Sequence, residues 1–217
     1  VGGNPVHGAE PANAVDFGRP ETTQPAEQAE WTASEKGIAM QDSPELIRFN
    51  VLRNALYHSA RRRAFERINR TFNFVVVLLG AAAIGDLLAF AGIDQRLIGA
   101  GVATIGASQL VFDFGRQARD HQILQKDYYN LLADIELVSE PTADQCAEWY
   151  SRMIRITAEE PPVLKALDAR AYNDAIDAIY GFDSLERLRI PFLHRLLGGF
   201  FAFDGYEYKK LGDLPNG

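Results

Sequence analysis

Few residues in this 217-residue chain combine a reactive type with a telling position, and the most conspicuous is Asp86. It is a carboxylate inside the apolar run FNFVVVLLGAAAIGDLLAFA. At the centre of a bilayer such a group costs ~2.5–3.5 kcal/mol on insertion scales, so its placement asks for a reason. Asp86 could line a polar path shared by several copies of the chain, or lie near the far interface and reach headgroup water. Asn73, Gln109 and Asp113 form a second polar set at the opposite end of the apolar region. They could clamp two helices by hydrogen bonds or form a gate. His121 falls on an apolar seam, where a packed, hydrogen-bonded ring is expected. His58 is read as too far along its own helix to join it, so no zinc site is expected. The chain has no Gly-rich phosphate loop and no HExxH. Glu159-Glu160, directly before Pro161-Pro162, reads as a helix terminus instead of a catalytic pair. Cys146 is the single cysteine, which excludes an internal disulfide and a thiolate metal site. Neither an enzymatic activity nor a cofactor is expected.

The element that must position Asp86 is a hairpin of two apolar runs. The first, 72–91, has about the ~20 residues a helix needs to cross the hydrocarbon core of a bilayer. The second, 97–112, is shorter, at roughly 16 residues, and spans only with snorkelling ends or a thinned bilayer. Between them Gly92-Ile93-Asp94-Gln95-Arg96 leaves room for a tight turn, so the runs should lie antiparallel. Gly99, Ala103 and Ala107 repeat every fourth position, a spacing of small residues that lets helices approach closely within the hairpin or between subunits.

Flanking patterns extend both runs. Ser43-Pro44-Glu45 is a helix start, with a cap, proline at the first helical position and an acid in the first turn. From it Leu46, Phe49, Leu52, Leu56, Ala60, Ala64 and Ile68 make one apolar stripe, and the helix is expected to run straight into the first span. After the second span Phe114, Ala118, His121, Leu124, Tyr128, Leu131, Ile135 and Val138 alternate steps of four and three, the coiled-coil seam. That helix is expected to be continuous from Arg96 to Ser139. Antiparallel pairing about the turn makes partners of residues whose numbers sum to roughly 187 if the helices pair one to one. Asn73 then lies near Asp113 or Phe114, Arg67 near Asp120, and Glu66 near His121. The arginine-rich first helix faces Asp120, Asp127, Asp134 and Glu136. Further helices are expected from Thr142 to about Ala158 and from Pro162 to Tyr180, followed by an amphipathic stretch from Ser184 to Phe203.

Charge organises the ends. Much of the net charge of −7 lies before residue 43, where Glu10, Asp16, Glu21, Glu27, Glu30, Glu35 and Asp42 meet only Arg19 and Lys36. Residues 1–42 lack an apolar period and are expected to be a disordered acidic tail. Met40 is a possible true start. The opening VGGNPVHGAEPANAV has neither the basic region nor the apolar core of a secretion signal, so the hairpin itself is expected to direct insertion. With the tail set aside the chain is close to neutral and has no basic stripe, which argues against nucleic acid as a partner. Arg61, Arg62, Arg63, Arg67 and Arg70 precede the first span and Arg116 and Arg119 follow the second, whereas the turn holds Arg96 balanced by Asp94. By the positive-inside rule both termini are cytoplasmic.

The fold expected is therefore all-α: an integral membrane helical hairpin over 43–140, extended by long cytoplasmic helices, with a C-terminal helical region over 141–217. RFNVLRNALYHSARRRAFERINRTFNFVVVLLGAAA leading into the first span and LVFDFGRQARDHQILQKDYYNLLADIE leaving the second resemble the SLATT family, and EEPPVLKALDARAYN does so more loosely. These are small bacterial proteins with two membrane spans flanked by cytoplasmic helices. The resemblance implies an inner-membrane effector of bacterial conflict systems, one that assembles into pores and acts beside a nucleotide-signalling system. On the residues alone, two other readings stand beside an oligomeric pore. One is a membrane-anchored helical scaffold that binds a partner protein; the other is a soluble helical bundle.

Overall fold

The computed structural model of the chain describes residues 43–81, 85–86 and 90–214. The expected acidic tail and Met40 lie outside them. Among the described residues the protein is helical, with a single isolated antiparallel bridge between Leu188 and Lys210 and no strand.

Helix α1 is Pro44–Gly80, 37 residues long, which makes it about 55 Å from end to end. Ser43 caps it by accepting from the Leu46 amide, and Pro44 loses nothing because the first helical N–H has no partner anyway. The helix enters the apolar run but does not continue through it. Ala81 is extended (φ −73°, ψ 128°), so the first run is not one helix over 72–91. Glycine at position 80 has the weakest preference for helix apart from proline, which makes it the natural place to stop. Gly85 and Asp86 are again helical.

The second long helix is also divided. Helix α2, Gln95–Phe112, and helix α3, Phe114–Glu136, meet at Asp113, which has left-handed backbone angles (φ 39°, ψ 58°). The continuous helix expected from Arg96 to Ser139 is therefore broken at its waist. Asp113 makes the break tolerable: its side chain accepts from the Arg116 amide and caps α3, and aspartate is among the few non-glycine residues that enter this region readily.

Helix α1 packs along α3, and the buried face of α3 is the seam Ala118, His121, Leu124, Tyr128, Leu131 and Ile135. The matching face of α1 is Ile47, Val51, Ala55, His58 and Phe65, not the stripe expected from Leu46 to Ile68. A polar histidine in the middle of the true seam disguised it. The expected positions turn elsewhere: Phe49 meets Tyr172 edge to face, and Leu56 and Ala60 pack on a second cluster with Leu167 and Ala171. Leu46 is exposed. Helix α1 thus has two apolar faces, one for α3 and one for the C-terminal region.

Helix α4, Ala143–Thr157, starts in a capping box between Thr142 and Gln145 and adds Cys146, Trp149 and Met153 to the core built on Ile47, Val51 and Tyr128. Helix α5, Lys165–Tyr180, ends at Gly181 (φ 86°) and covers the other face of α1. It begins at Lys165, later than Pro162: Pro161-Pro162-Val163 is not helical, Leu164 is extended, and the Leu164 amide donates to the Tyr57 hydroxyl. The expected amphipathic stretch from Ser184 to Phe203 is mostly a strap, with only a six-residue helix α6, Phe192–Leu197. Pro191 cannot donate within a helix and stands just before it, while Gly198-Gly199 closes it. Asn173 holds the strap to α5, its amide nitrogen donating to the Leu188 carbonyl and its oxygen accepting from the Leu188 amide.

Candidate functional site: an exposed apolar tip, its neck and a buried polar cluster

Between Phe74 and Val111 several of the described apolar side chains stand largely bare. Phe74 is 64% exposed, Phe90 92% and Leu110 85%, and Val77, Leu97 and Val111 are similarly bare. Among the described residues one helical stretch, Gln95–Glu136, is long and apolar enough to cross a membrane, and none of its apolar window is buried. Asp86 is exposed. So are Gly99, Ala103 and Ala107, whereas Ile98, Gly101, Val102, Ile105 and Gly106 are partly covered. The small-residue repeat therefore faces away from the rest of its own chain.

At the neck, Gln109 Nε2 donates to Asn73 Oδ1 at 3.0 Å, joining α1 to α2. The Asp113 carboxylate accepts from the Arg116 amide of its own helix, and it is Phe72, next to Asn73, that touches Phe114. Below the neck Phe114 stacks between Phe112 and Phe65 and touches Phe72 edge to face. Arg67 Nε donates to the Arg63 carbonyl, and the Glu66 carboxylate pairs with Arg62 and Arg70. Asp120 faces Arg116, and Asp134 faces Arg152 on α4; Arg48 does reach Glu136.

Of the arginines assigned to the membrane-facing charge, Arg63, Arg67, Arg70, Arg116 and Arg119 are exposed. Arg62 is half-buried against Glu66 and Gln125. Arg61 is turned into the fold. Its guanidinium lies 4.4 Å from the Phe65 ring centre and donates to the Gly199 carbonyl at 2.8 Å, and its buried Nε has no hydrogen-bond partner among the described residues. Burial pulls its basicity down.

The feature that sequence reasoning missed lies one helical turn deeper. His58 and His121 are not remote: their Nδ1 atoms are 2.9 Å apart, and both rings are buried. A side chain of α3 enters the space between residues one heptad apart on α1, so His121 sits between His58 and Phe65 and stacks on the latter. Pairing the helices residue by residue could not reveal that. On its far side His58 Nε2 lies 3.1 Å from Glu160 Oε1, an ion-pair distance without hydrogen-bond geometry. The Tyr128 hydroxyl donates to the same Glu160 oxygen, meets Thr157 Oγ1 at 2.9 Å, and its ring stacks on His58. Thr157 in turn donates to the Met153 carbonyl. Glu160 therefore serves the cluster from the α4–α5 connection, beyond its reading as a helix terminus.

Electrostatics set the protonation of this cluster. Burial, reinforced by His58 and Arg61, pulls the His121 pKa down to about 3, so His121 is neutral at physiological pH. Burial and the Glu160 contact push the Tyr128 phenol upward, and burial does the same to Tyr57. The cluster is not a metal site: Glu160 approaches the opposite nitrogen of His58 from the one facing His121, so the three do not converge on one point. Among the described residues no group of three or more His, Cys, Asp or Glu could hold a metal ion. What the arrangement can do is hold three elements, α1, α3 and the α4–α5 connection, through shared protons.

Compared with known protein families, curated proteins and solved structures, the chain matches none of them.

Proposed function

We propose that this chain is an oligomeric, non-enzymatic membrane protein whose apolar hairpin tip enters the bacterial inner membrane and perturbs or opens it. Both termini are cytoplasmic in this reading, and the role is bacterial defence. The observation that carries the membrane part is the bareness of the tip. Phe74, Phe90 and Leu110 gain ~1.5–3 kcal/mol each by leaving water, and all three are largely exposed. The exposed arginines below the neck, Arg63, Arg67, Arg70, Arg116 and Arg119, suit the anionic cytoplasmic leaflet. The outward-facing Gly99, Ala103 and Ala107 are free for contact between copies, and exposed Asp86 is the carboxylate available to a polar path. Resemblance to SLATT supports the pore and the defence role, with a nucleotide-signalling system as the source of a trigger. Induced expression is expected to depolarise cells; unchanged membrane potential and viability with inserted protein would overturn pore formation.

A second reading, a membrane-anchored scaffold, has its own support. A groove of about 980 Å³ opens between the start of α1 and α5, lined by Phe49, Arg53, Tyr172 and Tyr180. This reading predicts co-purification with a protein partner and no ion flux.

A further inference from the structure

Four arginines from three helices converge on one cavity of about 530 Å³: Arg63 and Arg67 from α1, Arg170 from α5 and Arg195 from α6. Among the described residues no carboxylate lines it. Among the described residues none of the four is paired with an acid, although the chain as a whole is acidic and pairs Arg48, Arg53, Arg62, Arg70, Arg116, Arg152 and Arg187 elsewhere. Like charges drawn together by the fold without a counter-charge mark a place for an anion from outside it. Guanidinium forks suit phosphate oxygens in particular.

The cavity has an apolar continuation. Ala64, Ile68, Gly199 and Phe200 line both it and a second cavity of about 390 Å³, which is walled by Phe72, Phe112 and Phe114. That second cavity reaches the neck, where the bare apolar tip begins. A basic chamber opening into a greasy slot that leads to the apolar tip has the two-part character of a phospholipid. Its position is fixed by Gly198, where an added Cβ would come within 2.8 Å of the Ala166 Cβ and 2.5 Å of the His194 carbonyl oxygen. Only glycine lets the end of α6 approach α5 this closely, and Arg195 on that helix lines the cavity together with Arg63.

We propose that these two cavities bind one anionic phospholipid, its phosphate headgroup among Arg63, Arg67, Arg170 and Arg195 and its acyl chains along Phe72 and Phe112. The proposal rests on the membrane reading of the hairpin. Bound lipid would tie α6 and α5 to α1 at the membrane surface, making the C-terminal region sensitive to leaflet composition.

The test uses the full chain in a non-ionic detergent and native mass spectrometry, with phosphatidylglycerol, phosphatidylcholine of the same chains, and soluble glycerophosphoglycerol. One phosphatidylglycerol per chain is expected, bound at least tenfold more tightly than either of the others. In the triple variant Arg63→Gln, Arg170→Gln, Arg195→Gln, with circular dichroism unchanged, that preference is expected to disappear. Arg170→Gln alone is expected to weaken it several-fold. Equal binding of phosphatidylcholine, or full selectivity retained in the folded variants, overturns the site. Glycerophosphoglycerol binding as tightly as the lipid overturns the lipid assignment in favour of a soluble phosphate ester. Failure of the membrane reading shows separately, as loss of the wild-type protein to the supernatant in an alkaline wash.

Discussion

His58 and His121, on different helices and 63 positions apart, meet nitrogen to nitrogen at 2.9 Å in the interior of the helix pair. One ring must donate and the other accept, so two imidazolium rings cannot make this contact. His121 is held neutral, with its pKa down to about 3. Its folded value lies below the unfolded value near 6.5, so the unfolded chain takes up the extra proton on acidification. Stability from this residue is complete above pH 6.5 and is lost as pH falls toward 3, by at most ~1.4 kcal/mol per pH unit. Thermal unfolding in detergent between pH 7.5 and 4.5 should show a falling midpoint. His121→Leu should flatten that dependence while costing ~1–3 kcal/mol at pH 7.5, because His58 Nδ1 loses its partner. An equally steep acid limb in the variant would assign it to other groups.

Tyr128 is the other anchor of the cluster, wholly buried and bonded through its hydroxyl to Glu160 and Thr157. Tyr128→Phe keeps the ring against His58 and removes only the oxygen. The expected cost is ~1.5–3 kcal/mol, the range for hydrogen bonds to charged groups, read as a lowered unfolding midpoint and faster proteolysis around Pro161-Pro162. A variant as stable as the wild type would mean that Glu160 is satisfied without Tyr128.

Arg53 grips Asp168 with both Nε and Nη2, a paired contact tying α1 to α5 in partly buried surroundings. Asp168→Asn keeps the shape and removes the charge, and should cost about 1 kcal/mol. A double-mutant cycle with Arg53→Gln checks it, and purely additive losses would show that the pair contributes no coupling.

Asp113 carries the break between α2 and α3 at φ 39°. Asp113→Gly should be tolerated to within ~1 kcal/mol, since glycine enters this region freely and the lost cap is a small term. Asp113→Val should cost clearly more, about 2 kcal/mol or above, or straighten the break into a continuous helix. Unfolding midpoints and spin-label distances across the break distinguish these results. Equal stability of the glycine and valine variants would contradict the strain argument.

Much of the helical architecture could be read from the chain because its signals are local. The Ser43 and Thr142 caps, Gly181 after α5 and the three-four spacing of α3 each act within a turn or two. What escaped reading depended on geometry between elements. The seam of α1 passes through His58, so a search for apolar spacing slid to the neighbouring face. The meeting of His58 with His121 needs the interlocking of two helices, and Glu160 joins them only once α4 has folded back. Asp113 reads as a polar residue at a boundary; only backbone angles reveal a break. Arg61, equivalent to its neighbours in sequence, is turned inward by its position on the helix and the Gly199 carbonyl that receives it.

The bare apolar tip is the centre of this account, and its most direct test is fractionation of tagged full-length protein through an alkaline carbonate wash. The protein is expected to stay in the membrane pellet and to be released only by detergent, as a defined oligomer. Release into the supernatant by the wash alone would contradict it, because Phe74, Phe90 and Leu110 would then have found their cover in water.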